Sequence, residues 1–264
     1  MTAAETPRGS FSIGRVIEQT FGVLSSSAAI IWPLAAVFVL APQALMAFAQ
    51  ANVSQAALSA AGTASQAAFL LYFILILVAS LVGLVFQTSV IYCVIEDLNG
   101  RRTSLATCLL SGLKLAIPAF AVGILVGLGV GLGLLLLIVP GMMLAVRWSV
   151  AVPVRVAEGQ GINSALARSA TLTRHHRWAI FGAFLILWVG FIVLTMVLTA
   201  AATLLPHAGG DPTSVTRGAP YILLSAALVT ALSTFSAAGA AVIYTELRNV
   251  REGGDPERVA AVFA

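Results

Sequence analysis

An all-α integral membrane fold is predicted by three observations: a composition too apolar for a water-facing surface, six long apolar runs, and a polar, cation-bearing stretch ahead of every second run. Of the 264 residues, 59% are hydrophobic and 9% charged, and the mean hydropathy is +1.01. So few charges cannot cover a globule in water, whereas a bilayer accepts apolar surface on every side of a helix. Fourteen Lys and Arg against ten Asp and Glu give a net charge of +4. The cations are scattered among short connections between apolar runs, so they are read as orienting the chain and attracting anionic lipid head groups, with no nucleic acid implied. The expected architecture is six transmembrane helices in three hairpins, each hairpin preceded by an amphipathic interfacial helix, in a single membrane domain over residues 1–264.

In chain order, the first interfacial helix is expected at about 11–25, where Phe11, Ile13, Val16, Ile17, Phe21 and Leu24 recur at helical spacing and Arg15, Glu18 and Gln19 face away. The first span covers about 28–50. Ala47-Phe48-Ala49 resembles a signal-peptide cleavage site. The polar segment before the run is too long for an n-region, so the span is expected to stay. The second span, about 68–95, closes on Val90-Ile91-Tyr92-Cys93-Val94-Ile95-Glu96. A second interfacial helix at about 104–114 sets Leu105, Cys108, Leu109 and Leu113 against Thr107, Ser111 and Lys114, and leads into a third span at about 115–138. Val139-Pro140-Gly141 reads as the turn of a tight helical hairpin into a short fourth span, about 142–157. That span contains Arg147 and is interrupted by Pro153, which leaves the Ser149 carbonyl without its helical donor. The third interfacial helix, about 163–175, sets Ile162, Leu166, Ser169 and Leu172 against Arg168, Thr171, Arg174 and His175. Spans at about 178–205 and 220–246 and a tail over 247–264 complete the chain. Ser12, Ser104 and Asn163 or Ser164 are the expected N-caps.

The pattern repeats. Val152-Pro153-Val154-Arg155-Val156-Ala157-Glu158 and Val242-Ile243-Tyr244-Thr245-Glu246 end on a glutamate as the second span does, and Ser104 and Ser164, like Pro118 and Trp178, stand 60 residues apart. Glu96, Glu158 and Glu246 are expected at equivalent depths, each close to a cation of an interfacial helix or tail, because a lone desolvated carboxylate is costly. With the N-terminus inside, twelve of the fourteen Lys and Arg fall in cytoplasmic segments, which predicts a bacterial cytoplasmic (inner) membrane protein with both termini cytoplasmic. Cys93 and Cys108 would then lie on the reducing side and are expected as free thiols.

No soluble-type active site is visible: HExxH, GxSxG, a Walker loop and a metal-spaced Cys/His cluster are all missing, so no catalytic residue, metal or cofactor is expected. The glycine run from Gly127 to Gly133 lies inside an apolar span, and Gly123, Gly127 and Gly131, four residues apart, are read as a helix-packing face, with Gly129 and Gly133 as another pair. Arg147 either lines a wet cavity or snorkels to the outer interface. On an unbroken helix, Arg155 and Glu158 would share its polar stripe. Arg174-His175-His176-Arg177 is the densest basic cluster, read as a head-group anchor, since adjacent histidines on a helix diverge by about 100° and do not ligate one metal together. With Arg168, these form the candidate lipid-contact or polar-path set.

The residues from Leu137 to Gly182 carry a resemblance. Ile138-Val139-Pro140-Gly141, Arg147-Trp148-Ser149-Val150-Ala151-Val152-Pro153, Glu158-Gly159, Ala165-Leu166-Ala167-Arg168-Ser169, Leu172-Thr173-Arg174 and Arg177-Trp178 resemble the membrane domain associated with glycerophosphoryl diester phosphodiesterases. They are also similar to related stand-alone bacterial membrane proteins of uncharacterised function. Family members with phosphodiesterase activity carry a separate soluble catalytic barrel that fits nowhere here, and Glu96, Asp97, Glu158 and Glu246 do not form its carboxylate set, so the resemblance does not carry activity over. The expected function is therefore non-enzymatic: contact with membrane lipids or membrane partners, in envelope maintenance. The alternative is a transporter or channel for a small solute or lipid, with the broken fourth span lining the path.

Overall fold

A computed structural model describes residues 12–47, 49, 63–204 and 219–252. The connection over 51–67 is therefore largely outside the described residues, as are Phe11, Arg217 and the tail beyond Glu252. The described residues are helical and without strands: α1 (Ile13–Ser26), α2 (Ala28–Ala35, continued by a π-helical turn at Ala36–Leu40), α3 (Thr63–Leu98), α4 (Leu105–Leu136), α5 (Ile138–Arg147), α6 (Ala151–Glu158), α7 (Ile162–Leu172), α8 (Arg177–Leu204) and α9 (Ala219–Glu252). Six stretches are long and apolar enough to cross a membrane: Ala28–Ala47, Phe69–Leu98, Leu105–Leu136, Ile138–Glu158, Arg177–Val197 and Tyr221–Arg251. Their flanks expose large apolar side chains such as Ile117, Leu135 and Leu136, as a lipid-facing surface requires. This is a multi-pass membrane protein.

The core lies where α3, α4, α6 and α9 meet α1 and α2, around Ile31, Ile91, Val94, Val122, Val154, Leu172 and Val242. The most extensive contact joins α3 to α4, across two of the expected repeat units, while α8 touches α9 only slightly. Small residues explain the α3–α4 approach. A Cβ on Gly112 would lie 2.7 Å from both the Cα and the backbone nitrogen of Ser89, and the buried Thr88 hydroxyl donates to the Gly112 carbonyl at 2.9 Å. Gly129 faces the Trp148 ring and Gly133 faces the backbone of Gly141, so this pair sets the α4–α5 spacing. Gly123, Gly127 and Gly131, expected as the packing face, have nothing within 4 Å of where a Cβ would stand. Within the chain, the neighbouring backbones come to the other side of α4.

Two further expectations change. The polar stretch at about 104–114 is not a separate interfacial helix. Ser104 caps it, accepting from the Thr107 amide at 3.2 Å, but nothing then interrupts the backbone and α4 runs on through Pro118. At the other two sites the chain does break, at Ser27 and at Thr173–His176. Ser12 stands at the N-cap of α1 without a side-chain bond, and Gly161, rather than Asn163 or Ser164, precedes α7. Cys93 and Cys108 are bonded to each other, with Cα atoms 5.5 Å apart, clasping α3 to the first turn of α4. The short turn after Leu98 brings these two helix faces together, a pairing that side of assignment alone does not reveal, and burial of both residues shields the sulfurs from thiol reductants. Alkylation of the detergent-solubilised protein without reductant should modify neither cysteine, and alkylation after reduction and unfolding should modify both. Two modified thiols without reductant would refute the pairing.

Candidate functional site

The fourth span is discontinuous, and the break can be followed atom by atom. Pro153 has no amide hydrogen and would clash with the carbonyl one turn earlier, so the helix stops at Arg147 and restarts at Ala151 with Pro153 in its first turn, where a missing donor costs nothing. The Ala151 amide, which in an unbroken helix would reach Arg147, donates instead to Trp148 at 3.0 Å. The freed Arg147 carbonyl accepts from Ser169 at 2.9 Å and from Thr173 at 3.3 Å, both hydroxyls buried on and just after α7. The break is thus capped by the following helix. The stripe of Arg147, Arg155 and Glu158 expected on an unbroken helix does not form. The Arg147 backbone sits beside α7, away from the Pro140-Gly141 end where an outer-interface position would place it, and its side chain is exposed.

All three span-closing glutamates have a cation. Glu246, 4% exposed, meets Arg15 of α1 at 2.6 Å. Glu158 is bonded by Arg168 of α7 at 3.3 Å, and Glu96 by Arg101 of the following turn at 3.5 Å. Arg15 therefore turns toward α9, and of the apolar residues expected on one face Val16 and Leu24 are buried, with Thr20 and Val23, while Ile17 and Phe21 are exposed. Glu158 is the hub: it also accepts from the Tyr244 hydroxyl at 3.0 Å and from the Gln160 amide at 2.7 Å, tying α6, α7 and α9 together. Gly159, in the left-handed region at φ 64°, ends α6 so that Gln160 can fold back to it.

Around this hub the basic residues collect. Arg168 and Arg248 act electrostatically on the Tyr244 hydroxyl, and Arg251 on His176. Burial, then the charges of His175 and Arg251, hold the His176 imidazole below its ordinary value, which favours its neutral form. Arg174 and His175 are exposed. The Nε atoms of Arg155 and Arg177 are enclosed and have no hydrogen-bond partner among the described residues. No group of three or more His, Cys, Asp or Glu that could hold a metal occurs among the described residues. The arrangement can neutralise an anion; the carboxylates, being bound internally, offer no evident general base. Sequence reasoning picked out Arg155, Arg168, Arg174, His175, His176 and Arg177 as candidates but not Arg15, Arg248 or Arg251, and missed Tyr244, Gln160, Ser169 and Thr173 as the residues that organise them. Their only signal was polarity inside or beside an apolar span.

A family model described as the membrane domain of glycerophosphoryl diester phosphodiesterase matches residues 100–247, more than half of the chain. The match extends on both sides of the stretch from Leu137 to Gly182 and takes in α4 to α8 and α9 as far as Leu247, hence Glu158 and its partners Gln160, Arg168 and Tyr244, but not Arg15, Arg248 or Arg251. No curated protein and no solved structure matches the chain.

Proposed function

We propose, for a chain that belongs to the family of the membrane domain of glycerophosphoryl diester phosphodiesterase, a non-enzymatic role: holding anionic lipid head groups at the cytoplasmic face of the bacterial inner membrane, in envelope maintenance, with both termini cytoplasmic. The observation that carries this reading is an imbalance of charge at one end of the bundle. Each of the three glutamates is already bonded to an internal cation, while Arg174 and His175 stand exposed and Arg155 and Arg177 keep an unpartnered Nε. Surplus cations at an interface attract lipid phosphates, each contributing on the order of 1 kcal/mol. Their side of the bundle supports the cytoplasmic orientation by the bias of Lys and Arg toward that face. The helix break in the fourth span is what favours the alternative, a solute or lipid path; against it, the carbonyl freed by the break is already capped by Ser169 and Thr173, leaving no unpaired acceptor to line a route.

Native mass spectrometry of the protein in nanodiscs of phosphatidylcholine with a minor fraction of phosphatidylglycerol tests the reading. Phosphatidylglycerol should be retained selectively, and the triple variant Arg174→Gln, Arg177→Gln, Arg251→Gln should lose at least about tenfold in that preference, as three contacts of this size imply. A bound phosphate favours the imidazolium, so binding takes up a proton at His176. Retention should strengthen as pH falls from 8 toward and through the lowered value of His176. Equal retention of both lipids by the wild-type protein would overturn the proposal.

A further inference from the structure

A second group of polar residues lies elsewhere in the molecule, half-buried or open to the space of a cavity between the spans. A cavity of about 520 Å³ opens between α2, α3 and α9, and its polar lining is Gln43, Tyr72, Ser80, Gln87, Ser233 and Ser236, with no charged side chain. The broken fourth span does not line it. Ser80 and Ser233 donate to carbonyls of their own helices, Ile76 at 2.7 Å and Thr230 at 2.9 Å. The two carboxamides of Gln43 and Gln87 and the hydroxyls of Tyr72 and Ser236 make no hydrogen bond among the described residues. In a hydrocarbon surrounding, each such group left unsatisfied costs several kcal/mol.

The backbone is deformed to put one of these groups there. On α2 the buried face runs through Ile31, Leu34 and Ala35, and an unbroken α-helix would continue it at Phe38 and Pro42. The π turn at Ala36–Leu40, in which the Ala41 amide reaches back five residues to Ala36, inserts one residue and brings the buried Val39, and beyond it the more open Gln43 and Met46, to line the cavity. Pro42, with no amide for the Phe38 carbonyl, favours the wider turn. Such single π turns recur at functional sites.

Helical rise fixes the depth. Gln87 and Ala237 each lie nine residues before a span-closing glutamate, about 14 Å along their helices, and Tyr72 lies about 36 Å from Glu96. The cavity therefore occupies the half of the bundle remote from the glutamates. Toward the glutamates it is closed by buried Phe86, Val90, Val94, Ala238 and Val242. Among the described residues, its inner end is closed.

From the unpartnered carboxamides and hydroxyls, the π-turn register and the closed inner end, we propose that this pocket is a binding site for an uncharged, hydroxyl-bearing group, entered from the membrane face opposite the basic end. Carboxamides and hydroxyls both donate and accept, so they match a group that does the same, and a charged ligand would find no counter-ion among the described lining residues. The same chemistry is offered by a free sugar and by the head group of a neutral glycolipid. The site is independent of the anionic-lipid reading, which concerns the other end of the molecule.

The test places a cysteine in the wall. The Ser80→Cys variant in sealed vesicles is treated with a membrane-impermeant maleimide, alone or with glucose, monoglucosyldiacylglycerol or phosphatidylglycerol. Labelling is expected from the face opposite the basic end only, the basic end being reported by a parallel variant, Arg174→Cys, labelled from the other face. At least tenfold protection is expected from glucose, which assigns a free solute, or from the glycolipid alone, which assigns a lipid head group. Gln43→Leu with Gln87→Leu, conservative in volume and compatible with a lipid surrounding, should abolish that protection while retention of phosphatidylglycerol in nanodiscs stays unchanged. Ser236→Ala, a smaller change, should weaken it several-fold. Protection by neither neutral probe, protection by phosphatidylglycerol instead, labelling of the Ser80→Cys variant from the basic face, or full protection in the double Gln variant would overturn the proposal.

Discussion

Replacing Gly112 by alanine should cost the protein its stability in detergent, whereas the same change at Gly127, fifteen residues further along the same helix, should be neutral or stabilising. At Gly112 the added methyl meets the backbone of Ser89 at 2.7 Å, and backbone cannot rotate away as a flexible side chain would. Separating α3 from α4 to make room would also break the Thr88 hydroxyl bond to the Gly112 carbonyl, in the most extensive helix contact of the structure. Overpacking of this kind costs about 1–3 kcal/mol and more when backbone must move. At Gly127 nothing stands within 4 Å, and the gain in helix propensity is up to about 1 kcal/mol. Thermal melts of the two purified variants decide the matter. A Gly112→Ala protein that melts with the wild type would mean that α3 and α4 do not approach as described.

Removing the cation at Glu246 should have a comparably large effect. Arg15→Ala leaves an almost fully buried carboxylate without its partner, and breaking one side of a buried pair costs about 3–5 kcal/mol. Arg15 is itself 40% exposed, so water screening brings the expected loss to the lower end of that range. Arg15→Ala with Glu246→Gln should recover a good part of it, because a neutral amide needs no counter-ion. α1 would be released first, since Arg15 is its charged tie to α9. Limited proteolysis near α1, together with melting temperature, reads both effects. A single Arg15→Ala variant as stable and as protease-resistant as wild type would show the pair to be without consequence.

Composition and run length made the membrane class and the six spans legible, and the recurring glutamates made their cationic partners legible in kind. A desolvated carboxylate calls for a cation of an interfacial helix or tail, but nothing in the local pattern selected Arg168 for Glu158, or Arg15, 231 residues away, for Glu246. The features that escaped are those decided by packing between distant segments. Gly129 and Gly133 were legible as a packing pair and do meet Trp148 and Gly141, whereas Gly112 and Gly141 carried no such signal and Gly123, Gly127 and Gly131, at the same four-residue spacing, meet nothing within 4 Å. Pro153 announced the break after Arg147, while the hydroxyls that cap it belong to another helix. The π turn is a one-residue register change in a run that is apolar on both faces, and hydropathy is blind to it.

The break in the fourth span has a consequence for the lipid as well as for the chain. α5 has ten residues, about 15 Å of helix, roughly half the thickness of a bilayer's hydrocarbon core, yet it ends on an exposed arginine. An undisturbed bilayer would hold that guanidinium near its midplane. A guanidinium at that depth draws head groups and water toward it, so the bilayer beside α5 is expected to be thinner than elsewhere, shaped by where one helix stops.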